Sequence, residues 1–157
     1  GATRPFASQA TTGITVSTAI APDGTPHGFT ANSFTAVSLE PPLVLICVNN
    51  KANVLAFFTQ SAHFGINVLG AEQESLSVRF AVRGLDRFDG VDWRPGQTGV
   101  PLLAGALAHL ECATRQTIPA GDHTIILGEV VHAACSDGGP LLYFSSAYHT
   151  ASPRTGG

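Results

Sequence analysis

The chain reads as mainly β: antiparallel strands that close their own edges into a barrel, accompanied by two short helices. Three observations predict this. Apolar and β-branched residues alternate with polar ones at residues 14–20, 63–69, 106–116 and 123–134, the period-2 pattern of half-buried strands. Turn-forming groups separate these stretches, at Asp23-Gly24-Thr25-Pro26, Pro119-Ala120-Gly121 and Ser136-Asp137-Gly138-Gly139-Pro140. Helical spacing of apolar residues occurs in two places, residues 54–58 and 71–83. About seven strands without a covering layer of helices favour an edge-closing barrel. No repeat and no linker composition divides the chain, so residues 1–157 are read as one domain.

In chain order, Ile14-Thr15-Val16-Ser17-Thr18-Ala19-Ile20 is β-branched and alternating, a strand. The tight turn at Asp23-Gly24 leads into Phe29 to Leu39, where Thr30, Asn32, Ser33, Thr35 and Ser38 interleave with apolar side chains. That is the pattern of a strand with one face on a core and the other on something polar. Glu40-Pro41-Pro42 cannot continue a ladder and turns the chain. Leu43 to Val48 is unbroken in apolarity, which predicts a strand covered on both faces. Asn49-Asn50-Lys51 then stops the run and can cap a short helix carrying Val54, Leu55, Phe57 and Phe58.

Residues 63–69 return to alternation, with Phe64, Ile66 and Val68 on one face. Ala71 to Arg83 reads as a second helix: Glu72 and Glu74 lie in its first turn, where the macrodipole favours them, and Leu76 and Phe80 stand one turn apart. Residues 86–101, rich in Gly, Pro and Asp and holding Trp93, read as a long loop of the functional or interface-forming kind. Three further strands follow, at 106–116, 123–134 and 141–145.

Composition narrows the function classes. Charged residues make up 12% of the 157 and hydrophobic ones 44%, against about 25% charge in an ordinary soluble domain. A face hidden in a homodimer accounts for the difference. The net charge of −3 leaves no footprint for nucleic acid. No apolar run approaches the roughly 20 residues that span a bilayer, and no charged-then-apolar leader pattern opens the chain. Cys47, Cys112 and Cys135 are odd in number, widely spaced and without a CxxC, as expected of reduced thiols in a cytoplasmic protein. There is no G-x-G-x-x-G after a strand, no P-loop, no H-E-x-x-H and no G-x-S-x-G. His27, His63, His109, His132 and His149 show no metal-ligand spacing, so no metal is expected.

The run Gly28-Phe29-Thr30-Ala31-Asn32-Ser33-Phe34, followed by Val37-Ser38-Leu39-Glu40-Pro41-Pro42-Leu43-Val44-Leu45, resembles the flavin reductase family with a split β-barrel. The resemblance continues through Phe64-Gly65-Ile66-Asn67-Val68-Leu69, Arg79-Phe80, Gly121-Asp122-His123-Thr124 and Leu141-Leu142-Tyr143-Phe144, and covers roughly residues 12–149. It implies a homodimeric, antiparallel, Greek-key-like split barrel. It also implies an NAD(P)H:flavin oxidoreductase, with NADH or NADPH as donor and FMN or FAD as acceptor. Reduced flavin would diffuse to a separate monooxygenase acting on an aromatic or similar compound. The chain departs from the family at Ala10, where a Phe is usual, and at Ser145-Ser146, where Gly and Arg are usual. The second departure keeps open a non-catalytic flavin-binding or electron-carrier protein on the same barrel. The related pyridoxamine-phosphate oxidase branch is disfavoured, because its basic phosphate-binding set is not apparent.

Such a reductase leaves the hard chemistry to its cofactors; the protein holds two flat rings about 3–3.5 Å apart and balances developing charge. Thr30, Ala31, Asn32 and Ser33 offer hydroxyls, an amide and backbone N–H groups to the polar edge of a flavin ring; alone they equally suit an edge strand. Cys47, Val48 and Asn49 end the apolar run where the resemblance places ring and ribityl contacts, although Cys47 by itself suits a small core residue. Lys51 admits two readings, a phosphate partner beside a helix start or a solvated charge. Arg79 does too, and in the family the Arg79-Phe80 pair lies by the flavin phosphate. Asn53 is either a cap-region residue or a ligand contact. His123 is the candidate catalytic residue: in similar enzymes it lies by the nicotinamide, where it orients the carboxamide or balances charge. Tyr143 either packs the core or walls the nicotinamide pocket.

Overall fold

The computed structural model describes residues 14–31, 34–83 and 86–136. Nine strands run through them: β1 (Thr15–Ile20), β2 (Pro26–Ala31), β3 (Thr35–Leu39), β4 (Pro42–Asn49), β5 (His63–Val68), β6 (Trp93–Pro95), β7 (Pro101–Leu103), β8 (Ala108–Ala120) and β9 (His123–Cys135). Two short α-helices lie among them, α1 (Leu55–Thr59) and α2 (Glu74–Arg79), the second entered through a 3-10 turn at Ala71–Gln73. Seven strands form one antiparallel sheet in the order β2-β1-β5-β8-β9-β4-β3, and β6 pairs with β7 beside it. Among the described residues no helix is long and apolar enough to cross a membrane.

The two edges of that sheet, β2 and β3, are consecutive in the chain. The four steps from Ala31 to Thr35 span at most about 14 Å, so the sheet must curl until its edges face each other. Among the described residues no ladder joins them. The result is a seam, and the candidate site lies along it.

The curled sheet wraps one apolar core. Val44, Ile46 and Val48 of β4, Phe64, Ile66 and Val68 of β5, Leu110, Ile126 and Phe58 of α1 are all essentially fully buried. Close packing demands a glycine at 128: a Cβ there would sit 2.6 Å from the Phe64 ring. A second cluster, Val16, Leu69, Phe80, Phe88 and Leu103, holds α2 and the β6–β7 hairpin against the sheet. Edge-on rings run through it, Phe80 to Phe88 at 4.9 Å and Phe88 to Trp93 at 5.9 Å. The hairpin is also clipped by buried polar groups: the Leu103 N–H donates to Asn67 Oδ1 at 2.8 Å, and the Thr18 hydroxyl donates to the Pro101 carbonyl at 2.7 Å.

Four expectations need correcting. The interleaved stretch from Phe29 to Leu39 is two strands on opposite edges, because β2 pairs with β1 and β3 with β4; alternation does not record a change of partner. The apolar run of β4 is covered on one face only within the chain, with Leu43 and Leu45 half-buried and Cys47 exposed on the other. The helix expected over 71–83 is a 3-10 turn and six residues of α-helix, since Gln73 Oε1 caps the Gly70 N–H and Phe80 turns into the second cluster. The loop at 86–101 contains β6 and leads into β7, and Trp93 packs inside its own chain rather than standing free. Pro95 and Pro101, paired across the ladder at the turn end of that hairpin, hid its strands from a propensity reading. The strand expected at 141–145 lies outside the described residues.

Glu111 anchors the turn beyond β6. It is 5% exposed, and it accepts from the Thr98 N–H at 2.8 Å, the Thr98 hydroxyl at 2.7 Å and the Gln97 N–H at 3.3 Å. Burial alone would raise its carboxyl, but these donors prevail and hold it below the usual 4.5. A depressed folded value means stability that is present above the unfolded value and lost as pH falls through the folded one. At pH 7, Glu111→Gln should therefore unfold more easily by about 1–3 kcal/mol, and this gap should shrink as pH falls from 4.5 toward the folded value. Urea denaturation of both proteins across that range checks it; a gap that ignores pH would refute the anchoring role.

Candidate active site

Two clefts lie side by side along the seam and share Phe29. The first, of about 430 Å3, is lined by Phe29, Thr30 and Ala31 of β2, Thr35 of β3, Leu45, Ile46, Cys47 and Asn49 of β4, and His123 of β9. The alternation of β4 explains its membership. With Val44, Ile46 and Val48 turned to the core, Leu45, Cys47 and Asn49 face outward. Cross-strand register then brings in the histidine, because Asn49 pairs with His123. Of the expected site residues, the fold brings Thr30, Ala31, Cys47, Asn49 and His123 to this one cleft from three strands far apart in sequence.

Their hydrogen bonds limit what each can offer. The Thr30 hydroxyl donates to the Ser77 carbonyl at 2.6 Å, and the Thr30 N–H donates to the Phe80 carbonyl at 3.2 Å. Thr30 therefore presents hydroxyl lone pairs, not a proton. Asn49 Oδ1 accepts from the Lys51 N–H at 2.9 Å, which shapes the turn after β4 and leaves the Asn49 amide NH2 for a ligand. His123 Nδ1 lies 2.7 Å from Asp122 Oδ1, and the hydrogen bond with that imidazole holds the Asp122 carboxyl below its usual 3.8. An ionised carboxylate only accepts, so Nδ1 carries the proton and Nε2 is the nitrogen available to a ligand.

The second cleft, of about 480 Å3, has a different character. Lys51, Asn53, Arg83 and Arg87 line it together with His27, Gly28, Val54 and Phe57. The rings of His27 and Phe57 stack at 3.5 Å and 10°. Arg87 is fastened in place, donating from Nη1 to the Gly28 carbonyl at 2.8 Å and from Nε to the Val82 carbonyl at 2.9 Å. Burial first, and then the neighbouring Arg83 cation, pull Arg87 below its usual value. Among the described residues neither arginine is in an ion pair. Asp86 also lines the cleft but pairs with neither arginine, and Lys51, Arg83 and Arg87 outnumber it, so the site gains from an anion.

The fold places other expected residues elsewhere. Arg79 donates to the carbonyls of Arg87 at 2.7 Å, Asp86 at 3.2 Å and Asp89, so its guanidinium is occupied in holding that loop. Phe80 and Val48 are buried in the two cores, and only their backbone could meet a ligand. Asn32, Ser33 and Tyr143 lie outside the described residues. Sequence reasoning overlooked Arg83, Arg87 and Thr35. The only signal for the arginines was their spacing of four across a turn at the end of an apolar-periodic stretch.

The family model for the flavin reductase like domain matches residues 7–152. The chain is 47% identical over 138 residues to an NADH-dependent FMN reductase, SmoA, of Agrobacterium fabrum, covering 88% of this chain and 78% of that protein. It is 39% identical to HsaB of Rhodococcus jostii, the reductase subunit of a flavin-dependent monooxygenase, over 96% of this chain and 77% of that one. Among solved structures, the NADH:FAD oxidoreductase SgcE6 of Streptomyces globisporus, in complex with NAD and FAD fragments, superposes with a TM-score of 0.73 at 50% identity. That match covers 78% of this chain and 74% of the other. Some relatives are longer: the chain spans 61% of a Rhizobium meliloti reductase subunit to which it is 43% identical.

Proposed function

The chain belongs to the flavin reductase-like family, and from that premise we propose that it is an NAD(P)H-dependent flavin reductase. It passes a hydride from NADH or NADPH to FMN or FAD, consuming one proton overall, and supplies reduced flavin by diffusion to a separate monooxygenase. The observation that carries this reading is the division of the seam into a neutral cleft and a cationic one that share Phe29. A flavin has the same division, a flat neutral ring with polar edges and an anionic phosphate tail.

The residues present fit such a group. Thr30 lone pairs, the Asn49 amide and the Cys47 side chain would meet the ring and ribityl, with Asn32 and Ser33 proposed beside them. Lys51, Arg83 and Arg87 would balance the phosphate, with Asn53 beside them. When bound, the flavin ring supplies the hydride acceptor. His123, its Nδ1 proton held by Asp122, keeps Nε2 toward the cleft and positions the nicotinamide carboxamide there, where Tyr143 would form the wall.

The test follows oxidation of NADH and NADPH by absorbance with FMN and FAD in turn. Turnover dependent on added flavin supports the reductase. Flavin binding without nicotinamide oxidation would instead identify a carrier on the same fold.

We further infer a homodimer whose interface completes the split barrel. The outer face of β4 and β9 presents Leu43, Leu45, Ile125 and Leu127 half-exposed, and Val37 and Leu39 of β3 are 49% and 44% exposed. A chain with 12% charged residues has little other surface to give up. An obligate interface here would bury more than about 2,000 Å2. Light scattering at micromolar protein should return twice the 16.2 kDa chain mass, and a monomer mass would remove the interface.

A further inference from the structure

We infer that Asn50 is a positioning residue for the nicotinamide side of the site: it locks the tip of the β8–β9 hairpin and so holds His123 against the ring cleft. This rests on the reductase reading above.

The hairpin turns through two residues, Gly121 and Asp122, with Gly121 at a φ of +65° that favours glycine. The final ladder pairs are Ala120 with His123 across the hairpin and Asn49 with His123 across to β4. Past that point the tip has no strand beside it. Asn50 takes over there with three hydrogen bonds. Its backbone N–H donates to the Asp122 carbonyl at 2.9 Å, and its side-chain Nδ2 donates to the Gly121 carbonyl at 3.2 Å. Its Oδ1 accepts from the Thr124 hydroxyl at 2.7 Å. The partners are residues 121, 122 and 124, so one asparagine brackets His123 on both sides without touching it.

Both ends of the amide are used, which no other side chain reproduces. Aspartate would turn a carboxylate oxygen on the Gly121 carbonyl, and alanine would release both side-chain bonds. These bonds are solvent-exposed, and two strands of 13 residues already fix the hairpin. Overall stability therefore gains little from Asn50. What it does fix is a distance. Asn50 directly follows Asn49, which lines the ring cleft with Cys47 of the same strand, and precedes Lys51, which lines the cationic one. It carries the β4–β9 connection past the last ladder pair, Asn49 with His123, so that the flavin-lining strand and the whole histidine-bearing tip move as one unit, which sets the separation at which two rings could meet. Misplacement of about 1 Å can cost up to about a hundredfold in rate.

The experiment is a double-mutant cycle on Asn50→Ala and His123→Ala, read by steady-state kinetics in NAD(P)H and by flavin affinity. Asn50→Ala should lower kcat/KM for NAD(P)H by about tenfold, chiefly through KM, because the backbone bond to Asp122 survives. Flavin affinity should stay within about twofold. In the His123→Ala background, Asn50→Ala should have no further effect, since residues acting as one unit are not additive. Effects that multiply, equal losses in flavin and nicotinamide binding, or an inert Asn50→Ala beside a damaging His123→Ala would each overturn the inference. An inert His123→Ala would overturn the nicotinamide site itself and this inference with it, and that single variant tells the two failures apart.

Discussion

Replacing His123 with alanine should lower kcat/KM for NAD(P)H by tens- to a few hundred-fold and leave flavin affinity nearly intact. The ring cleft is lined mainly by β2, β3 and β4, and His123 joins it from β9 at the far side of Asn49. Its loss removes one side chain at the rim and opens no hole in either core. On the proposed reading the effect should be graded, because no proton passes through the imidazole in a hydride transfer and the side chain would only position a ring and balance charge. Asp122→Asn refines the expectation. It keeps an acceptor near Nδ1 but removes the carboxylate that fixes the tautomer, so it should lose less than His123→Ala in the same parameter. Complete loss of turnover with flavin still bound would make His123 an electrostatic partner of the reduced flavin. An unchanged profile would mean that the nicotinamide binds elsewhere.

The contrast between His123 and Arg79 shows what a sequence can carry. The position of His123 at a strand start is legible from the turn signal at Pro119-Ala120-Gly121, and register delivers it to the end of β4; a place beside the nicotinamide comes only from the family resemblance. The core was legible from a local signal too: Phe64, Ile66 and Val68 alternate, and period-2 alternation has one physical meaning. Arg79 was an equally plausible ligand in sequence, but its fate depends on three carbonyls in a turn 7 to 10 residues away. No local pattern encodes where a loop's carbonyls will point. Arg83 and Arg87 reach the cationic cleft by the same contingency, through a turn that packs Phe88 against Phe80. The seam itself was only half visible. Strand number and turn positions imply a curled sheet, but the identity of its edges follows from which strand pairs with which, and β2 and β3 look like one continuous strand until their partners are known.

The double charge reversal Lys51→Glu with Arg83→Glu should weaken flavin binding by two decades or more in Kd while kcat at saturating flavin changes little. Both side chains are exposed and line the cationic cleft, and among the described residues neither is in an ion pair, so the fold has little stake in them. Arg87 is the wrong choice for this test, because its bonds to Gly28 and Val82 hold the cleft wall. Hydrogen bonds to a charged group contribute about 1.5–3 kcal/mol each. Losing two therefore costs at least about 3 kcal/mol, or about two decades, and the added repulsion of two carboxylates deepens the loss. The deficit should shrink as ionic strength rises and the Debye length falls below about 10 Å. The proposed nicotinamide side, around His123, should keep its KM once flavin saturates. Titrating FMN and FAD separately at low and high salt makes the comparison. Unchanged affinity for both flavins would remove the phosphate from this cleft, and an equal loss for riboflavin, which has no phosphate, would show that the substitutions had damaged the ring cleft instead.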